Sequence, residues 1–185
     1  MTSKDPLVWI DCEMTGLDPE TETILQIACY VTDYDLNVLD EGFEVVVHHN
    51  ADALDRMGEW CQRHHSASGL TQACIASNTT PEQAAESLLQ YIKKHVPQPR
   101  KGLLAGNSVH ADRSFLAKPP YKTIVDHLHY RILDISSIKE AARRWAPDEI
   151  LRKAPQKMEL HEAREDILES IEEAKFYREM FFKKP

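Results

Sequence analysis

Residues 7–14, LVWIDCEM, form a short apolar run in which two carboxylates, Asp11 and Glu13, stand two positions apart. Its length and its β-branched and aromatic content read as a strand. Strand side chains alternate at period two, so both acids project from one face, about 6.6 Å apart along the strand. Like charges placed there repel, and burying them without compensation is unfavourable unless a pKa rises or a cation binds. The solvent-facing side of an edge strand would need neither, and the D-x-E spacing alone does not choose between these situations.

Further runs of the same character follow. ETILQIACYVTDY and VLDEGFEVVVH are separated from the first run and from each other by GLDPET and DLN, which read as turns. Three consecutive strands in a meander are expected. From Ala51 to Ser77 the pattern is helical but broken at Gly58 and Gly69, predicting two or three short helices. Thr80-Pro81-Glu82-Gln83 combines an N-cap, a proline in the first turn and a capping-box Gln. Leu88, Leu89, Ile92 and Val96 give that helix its buried face, and Pro97 and Pro99 end it.

GLLAGNS reads as a buried strand, HADRSFLAK as the start of a helix, YRILDIS as another strand and SSIKEAARRW as a helix. From about Leu160 to Phe182, a stripe of Ala163, Ile167, Ile171, Ala174, Tyr177 and Phe181 predicts a long closing helix. APQKMEL, near 154–160, reads as a loop. Strands first, then strands alternating with helices, describe an α/β fold with a mixed sheet of about five strands flanked by helices. No repeat or composition shift divides the chain, so one domain over 1–185, with its core at about 7–182, is expected.

With 185 residues, 42% hydrophobic and 28% charged, the composition is that of a globular domain. No stretch approaches the roughly 20 apolar residues of a membrane-spanning helix. The N-terminus enters a strand-like run almost at once, leaving no room for a signal peptide. Cys12, Cys29, Cys61 and Cys74 are isolated, without CxxC pairs, which favours free thiols. An intracellular protein, cytoplasmic and/or mitochondrial, is expected. The net charge of −8 argues against gripping long nucleic acid by a broad basic face, so an anionic substrate should be small.

Two more acids bear on Asp11 and Glu13. Asp112 begins a helix directly after GLLAGNS, and Asp166 lies beside Ile167 at the border of the closing helix's buried stripe. His161 precedes Asp166 by five residues, about 140° around an ideal helix, so the two converge only if His161 lies in a loop or first turn.

The blocks WIDCEMTGLDP, CYVTDYDLNVL, WCQRHHSASGL, GNSVHADRSFL, HYRILDISSIKEAARRW and HEAREDILESIEEAKFYRE resemble those of oligoribonucleases, members of the DEDDh exonucleases. The likeness runs from about Leu7 to Phe182. It implies an RNase H-like fold and a 3′→5′ exoribonuclease that degrades short oligoribonucleotides, especially dinucleotides, to nucleoside 5′-monophosphates. It further implies that Asp11, Glu13, Asp112 and Asp166 hold two divalent cations, Mg²⁺ or Mn²⁺, and that His161 is the general base.

The same resemblance makes Leu17 and Trp60 contacts for the terminal bases, with His65 a further candidate. Aromatic stacking on bases is indifferent to sequence, which suits single-stranded RNA of two to about five nucleotides. Ser108, Arg131, Ser136 and Ser137 match positions that cap a 5′ phosphate. Tyr130 and Arg131 match residues that reach the neighbouring protomer's site, implying a homodimer. Alternative readings are a DEDDh exonuclease for DNA proofreading or longer-RNA trimming, and a noncatalytic nucleotide- or metal-binding module.

Overall fold

The computed structural model describes residues 4–155 and 163–182. Its sheet has five strands: β1 (Leu7–Met14), β2 (Ile24–Thr32), β3 (Phe43–Val46), β4 (Leu103–Gly106) and β5 (Ile132–Asp134). They lie in the order β3-β2-β1-β4-β5. The first three form the expected antiparallel meander, and β4 and β5 run parallel to β1.

Between β3 and β4 come α1 (Ala51–Leu54), α2 (Glu59–Ala67), α3 (Leu70–Ala76) and α4 (Pro81–His95). Gly58 and Gly69 stand at the N-caps of α2 and α3, where the sequence places its breaks. The Thr80 capping box opens α4, with both reciprocal hydrogen bonds present. After β4 come α5 (His110–Leu116) and α6 (Lys122–His127), and after β5 come α7 (Ile135–Trp145), α8 (Asp148–Leu151) and α9 (Ala163–Tyr177). A π-helical turn, Arg178–Phe182, continues α9. The short α6 and α8 are not foreseen in the sequence.

The alternation of β1 decides which helices each face receives. Val8, Ile10 and Cys12 join one core cluster with Leu88 and Ile92 of α4, Leu116 of α5 and Ile124 of α6. Trp9 joins a second cluster with Ile135 and Ala142 of α7 and with Ala163, Ile167, Ile171 and Tyr177 of α9, and Leu7 packs against it. Each fully buried Leu or Ile here stabilises by about 1.5–3 kcal/mol relative to exposure. The Trp9 indole N–H donates to Thr32 Oγ1 at 3.0 Å, so its polar atom is satisfied in the core. A smaller cluster of Leu25, Leu54, Met57, Leu70 and Cys74 seats α1 and α3 beside β2.

The β2–β3 turn is tied down twice. Gly42, at φ +80°, lies so close to the Tyr30 ring that a Cβ there would sit 2.6 Å from it. Arg164, in the first turn of α9, places its guanidinium 5.3 Å from the Tyr30 ring centroid and donates to the Tyr30 hydroxyl and to the Glu41 carbonyl. On the other side of the turn Asp40 accepts from Tyr91, Lys94 and the Gly42 N–H and meets His95 Nε2. Partial burial pushes the Asp40 carboxyl up, but these hydrogen bonds outweigh it and hold it well below the usual carboxylate range.

Candidate active site

Strands β1, β4 and β5 end on the same side of the sheet, the side on which parallel α/β sheets generally build their sites. β4 pairs with β1 only over Leu7–Trp9, whereas β2 accompanies β1 to its end. Asp11 and Glu13 therefore occupy the stretch of β1 that projects past its parallel neighbour, on the face of Leu7 and Trp9 that receives α9. Asp166 comes to them in the first turn of α9, beside buried Ile167. One carboxylate oxygen from each of Asp11, Glu13 and Asp166 lies within 4.8 Å of the others.

All three acids are partly buried. Asp112 reaches the cluster from α5: its carboxylate is buried and accepts from the Cys12 N–H at 2.9 Å. Burial, with Asp166 and then Asp112 as like-charged neighbours, pushes the Glu13 carboxyl up to about 7. Burial also raises Asp112, to about 6, against the lowering effect of the Cys12 hydrogen bond. A cluster that resists its own ionisation in this way is what a cation would relieve. Its donor atoms are carboxylate oxygens, the type that suits hard divalent ions such as Mg²⁺ and Mn²⁺. His161 lies outside the described residues.

The other residues singled out in the sequence lie on several elements, and among them His65 approaches Glu13. Leu17, in the loop after β1, is 84% exposed. Trp60 is 62% exposed and stacks on His64 at 4.8 Å. His65 is buried; its Nε2 meets the Met14 carbonyl at 3.0 Å and its Nδ1 lies 3.9 Å from Glu13 Oε2. A carbonyl can only accept, so Nε2 carries a proton. Desolvation, and then His64, hold this imidazole below its usual pKa.

Ser108 and Ser136 meet where β4 and β5 end. Ser108 adopts a left-handed φ of 49°, and its N–H is shared between Asp134 Oδ1 and Ser136 Oγ. The two hydroxyls are 3.1 Å apart. Asp134 caps α7 by accepting from the Ser136 N–H, and its second oxygen meets His110 Nδ1 at 3.1 Å. Ser137 is exposed beside them. Tyr130 is 60% exposed, stacked on His129, with the Arg131 guanidinium 5.2 Å from its ring centroid.

The exonuclease family RNase_T matches residues 8–174. Mitochondrial oligoribonuclease of Bos taurus is 47% identical over 180 residues, 96% of this chain and 74% of that protein. The chain belongs to the oligoribonuclease family. A probable oligoribonuclease of Schizosaccharomyces pombe is also 47% identical, over 95% of this chain and 68% of that protein, and an oligoribonuclease of Arabidopsis thaliana is 46% identical, over 97% and 80%. Among solved structures, exonuclease I superposes with a TM-score of 0.72 at 15% identity, over 95% of this chain and 41% of that one. Its complex with a dT13 oligonucleotide gives 0.73 at 17%, over 95% and 41%. These likenesses establish the RNase H-like fold.

Several groups that link these residues by hydrogen bonds are not foreseen in the sequence. Asp134 and Asn107 stand inside quoted blocks, yet nothing in their spacing marks Asp134 as the common acceptor for Ser108 and Ser136. Ser170 and Glu173, buried on α9, read from periodicity alone as ordinary helix positions.

Proposed function

We propose that the protein is a 3′→5′ exoribonuclease that degrades short oligoribonucleotides, dinucleotides above all, to nucleoside 5′-monophosphates. The observation that carries this is the convergence of Asp11, Glu13 and Asp166 within 4.8 Å at the carboxyl ends of the parallel strands, in a chain 47% identical to named oligoribonucleases.

Asp11, Glu13 and Asp166, with Asp112 behind them, would hold two divalent cations, Mg²⁺ or Mn²⁺. Such ions supply activation of the attacking water and stabilisation of the leaving 3′ oxygen. His161 is the candidate general base that removes the water's proton, a task suited to imidazole near neutral pH. Leu17 and Trp60, both largely exposed, would receive the terminal bases, and His65, which meets Met14 and lies 3.9 Å from Glu13, would back this pocket. Ser108, Ser136 and Ser137 would cap a 5′ phosphate, which sets a short limit on the substrate.

Arg131 and Tyr130 would act across a homodimer. By strand register Arg131 stands level with Leu7, so it lies roughly 13 Å back along the sheet from Asp11 and two strands, about 10 Å, across. That span exceeds the reach of an arginine side chain and supports a role at the partner's site. Relatives in Bos taurus and Homo sapiens are named mitochondrial, and a mitochondrial and/or cytoplasmic location is proposed on that ground. No helix among the described residues is long and apolar enough to cross a membrane.

The test is a length series of 5′-phosphorylated RNA and DNA, from dinucleotides to about twenty nucleotides, with Mg²⁺ or Mn²⁺; single strands are read through stacking and backbone contacts, so both chemistries must be compared. Fastest turnover on RNA dinucleotides is expected. Preference for long RNA or for DNA would reassign the specificity within the exonucleases, and no hydrolysis at any length would favour a noncatalytic module.

A further inference from the structure

The buried carboxylate of Glu173 is unused by the chemistry proposed above, although it lies two helical turns from Asp166. Its side chain is 4% exposed and receives three donors: Lys139 Nζ at 3.3 Å and the Tyr177 hydroxyl at 3.1 Å on Oε1, and Asn107 Nδ2 at 3.1 Å on Oε2. A carboxylate paired with lysine only accepts, so Asn107 must turn its NH₂ toward Glu173 and its carbonyl oxygen away. The NH₂ group also donates to Ser170 Oγ at 2.8 Å, and that hydroxyl donates to the Asp166 carbonyl at 2.7 Å.

On the opposite side the orientation of Asn107 dictates what the serines do. Asn107 Oδ1 accepts from the Ser136 hydroxyl at 3.0 Å. With that proton committed, Ser136 Oγ is left as an acceptor, and it takes the Ser108 N–H at 2.9 Å. The Ser108 hydroxyl, 3.1 Å away, is then the donor of the pair. A directed chain of hydrogen bonds thus runs from Ser108 through Ser136 and Asn107 to α9, ending on the backbone of Asp166. Ser108 is its exposed end, in a left-handed conformation unfavourable for a residue with a Cβ.

We propose that Asn107 is a positioning residue for 5′-phosphate recognition, its amide oriented by the Glu173–Lys139 pair so that it fixes Ser136 and, through it, the Ser108 loop relative to α9. This rests on the capping role proposed above for Ser108 and Ser136. Networks in which each member satisfies the next hold one geometry and lose it when an interior member is removed. Asn107 itself makes no contact with substrate; its effect passes through the two serines.

The test compares dinucleotides with and without a 5′ phosphate on each variant, using the ratio of their kcat/KM values, which cancels differences in the amount of folded protein. Wild type should prefer the phosphorylated substrate. In Asn107→Ala that ratio should fall about tenfold, the size expected when a charge-assisted hydrogen bond is misplaced, with the loss mainly in KM. Glu173→Gln preserves volume but can present either a donor or an acceptor to Asn107, and should lower the ratio by a smaller factor, about threefold on the scale of one neutral hydrogen bond. A wild-type ratio in both variants, or equal loss on both substrates, would overturn the positioning role. A wild-type enzyme indifferent to the 5′ phosphate would instead overturn the capping reading on which it stands.

Discussion

Asp112 accepts a hydrogen bond from the N–H of Cys12, the residue between the two acids of β1, at 2.9 Å. The bond locks α5 to the projecting end of the strand, and it places a fourth carboxylate beside Glu13 at an electrostatic disadvantage. Structural support and charge can therefore be separated by substitution. Asp112→Asn keeps an oxygen for the Cys12 N–H and removes the charge, so without metal it should melt at or above the wild-type temperature. Asp112→Ala leaves that N–H without its acceptor and should lose about 1–3 kcal/mol of stability. Both should lose on the order of 10–100-fold in activity or metal affinity. Equal melting temperatures for Asn and Ala variants would show that the bond contributes nothing.

Binding of Mg²⁺ or Mn²⁺ should raise the melting temperature, because an ion that binds only the folded state stabilises it, by about 2.7 kcal/mol at a concentration of 100 Kd. Asp11→Ala and Asp166→Ala each remove an oxygen donor from the converging trio. Both should abolish dinucleotide hydrolysis and shrink the metal-induced shift. Melts with EDTA and with titrated metal measure this directly, and wild-type turnover by either variant would refute the proposed site.

Glu13 and Asp40 pull stability in opposite directions with pH. Burial and its acidic neighbours raise Glu13 from 4.5 to about 7 in the folded protein, so between those values the folded state holds more proton than the unfolded one. Its stabilising effect is fully present below 4.5 and is lost as pH rises to about 7. Asp40 is depressed from 3.8, so its contribution is present above that value and is lost on acidification below it. Asp112, raised to about 6, declines over an overlapping window, so metal-free Glu13→Gln should show a shallower fall between 4.5 and 7, above all at its upper end, while keeping the acid limb. Equilibrium urea unfolding across pH reads both; an unchanged slope in Glu13→Gln would contradict the raised carboxyl.

Trp60→Ala should weaken substrate binding by about 1–3 kcal/mol, the value of one base stacked on an aromatic ring. Trp60 is largely exposed and stacked on one face by His64, so its removal should leave the melting temperature nearly unchanged. The effect should appear in KM for dinucleotides of every sequence alike. A large fall in stability would mark Trp60 as a packing residue.

The sequence was most legible where one local rule governs a position. Period-two alternation placed Asp11 and Glu13 on one face, and the structure shows that face to be the one covered by α9. Thr80 and Gln83 announced the start of α4 because a capping box is closed within four residues. Gly58 and Gly69 marked helix breaks for the same local reason. Phe181 shows the limit of the helical stripe: the π turn carries it to 37% exposure, stacked on Tyr177.

Long-range relationships were legible only through family resemblance or not at all. The convergence of Asp166 on β1 depends on how α9 crosses the sheet, which no spacing encodes. Asp112 faces β1 because α5 follows β4 at a particular register. The path from Ser108 through Asn107 to Glu173 joins a strand end, a helix N-terminus and a distant helix, each with unremarkable local sequence. α6 and α8 are short and carry too little periodicity to be read.

The converging trio of acids is split between β1 and α9, at opposite ends of the described residues. Asp11 and Glu13 belong to a strand held within the sheet, whereas Asp166 exists only once residues 163–177 have been made and docked. The site is thus a property of the docked pair and of neither element alone: a fragment that ends before residue 163 would keep the sheet and lose the convergence of the three carboxylates.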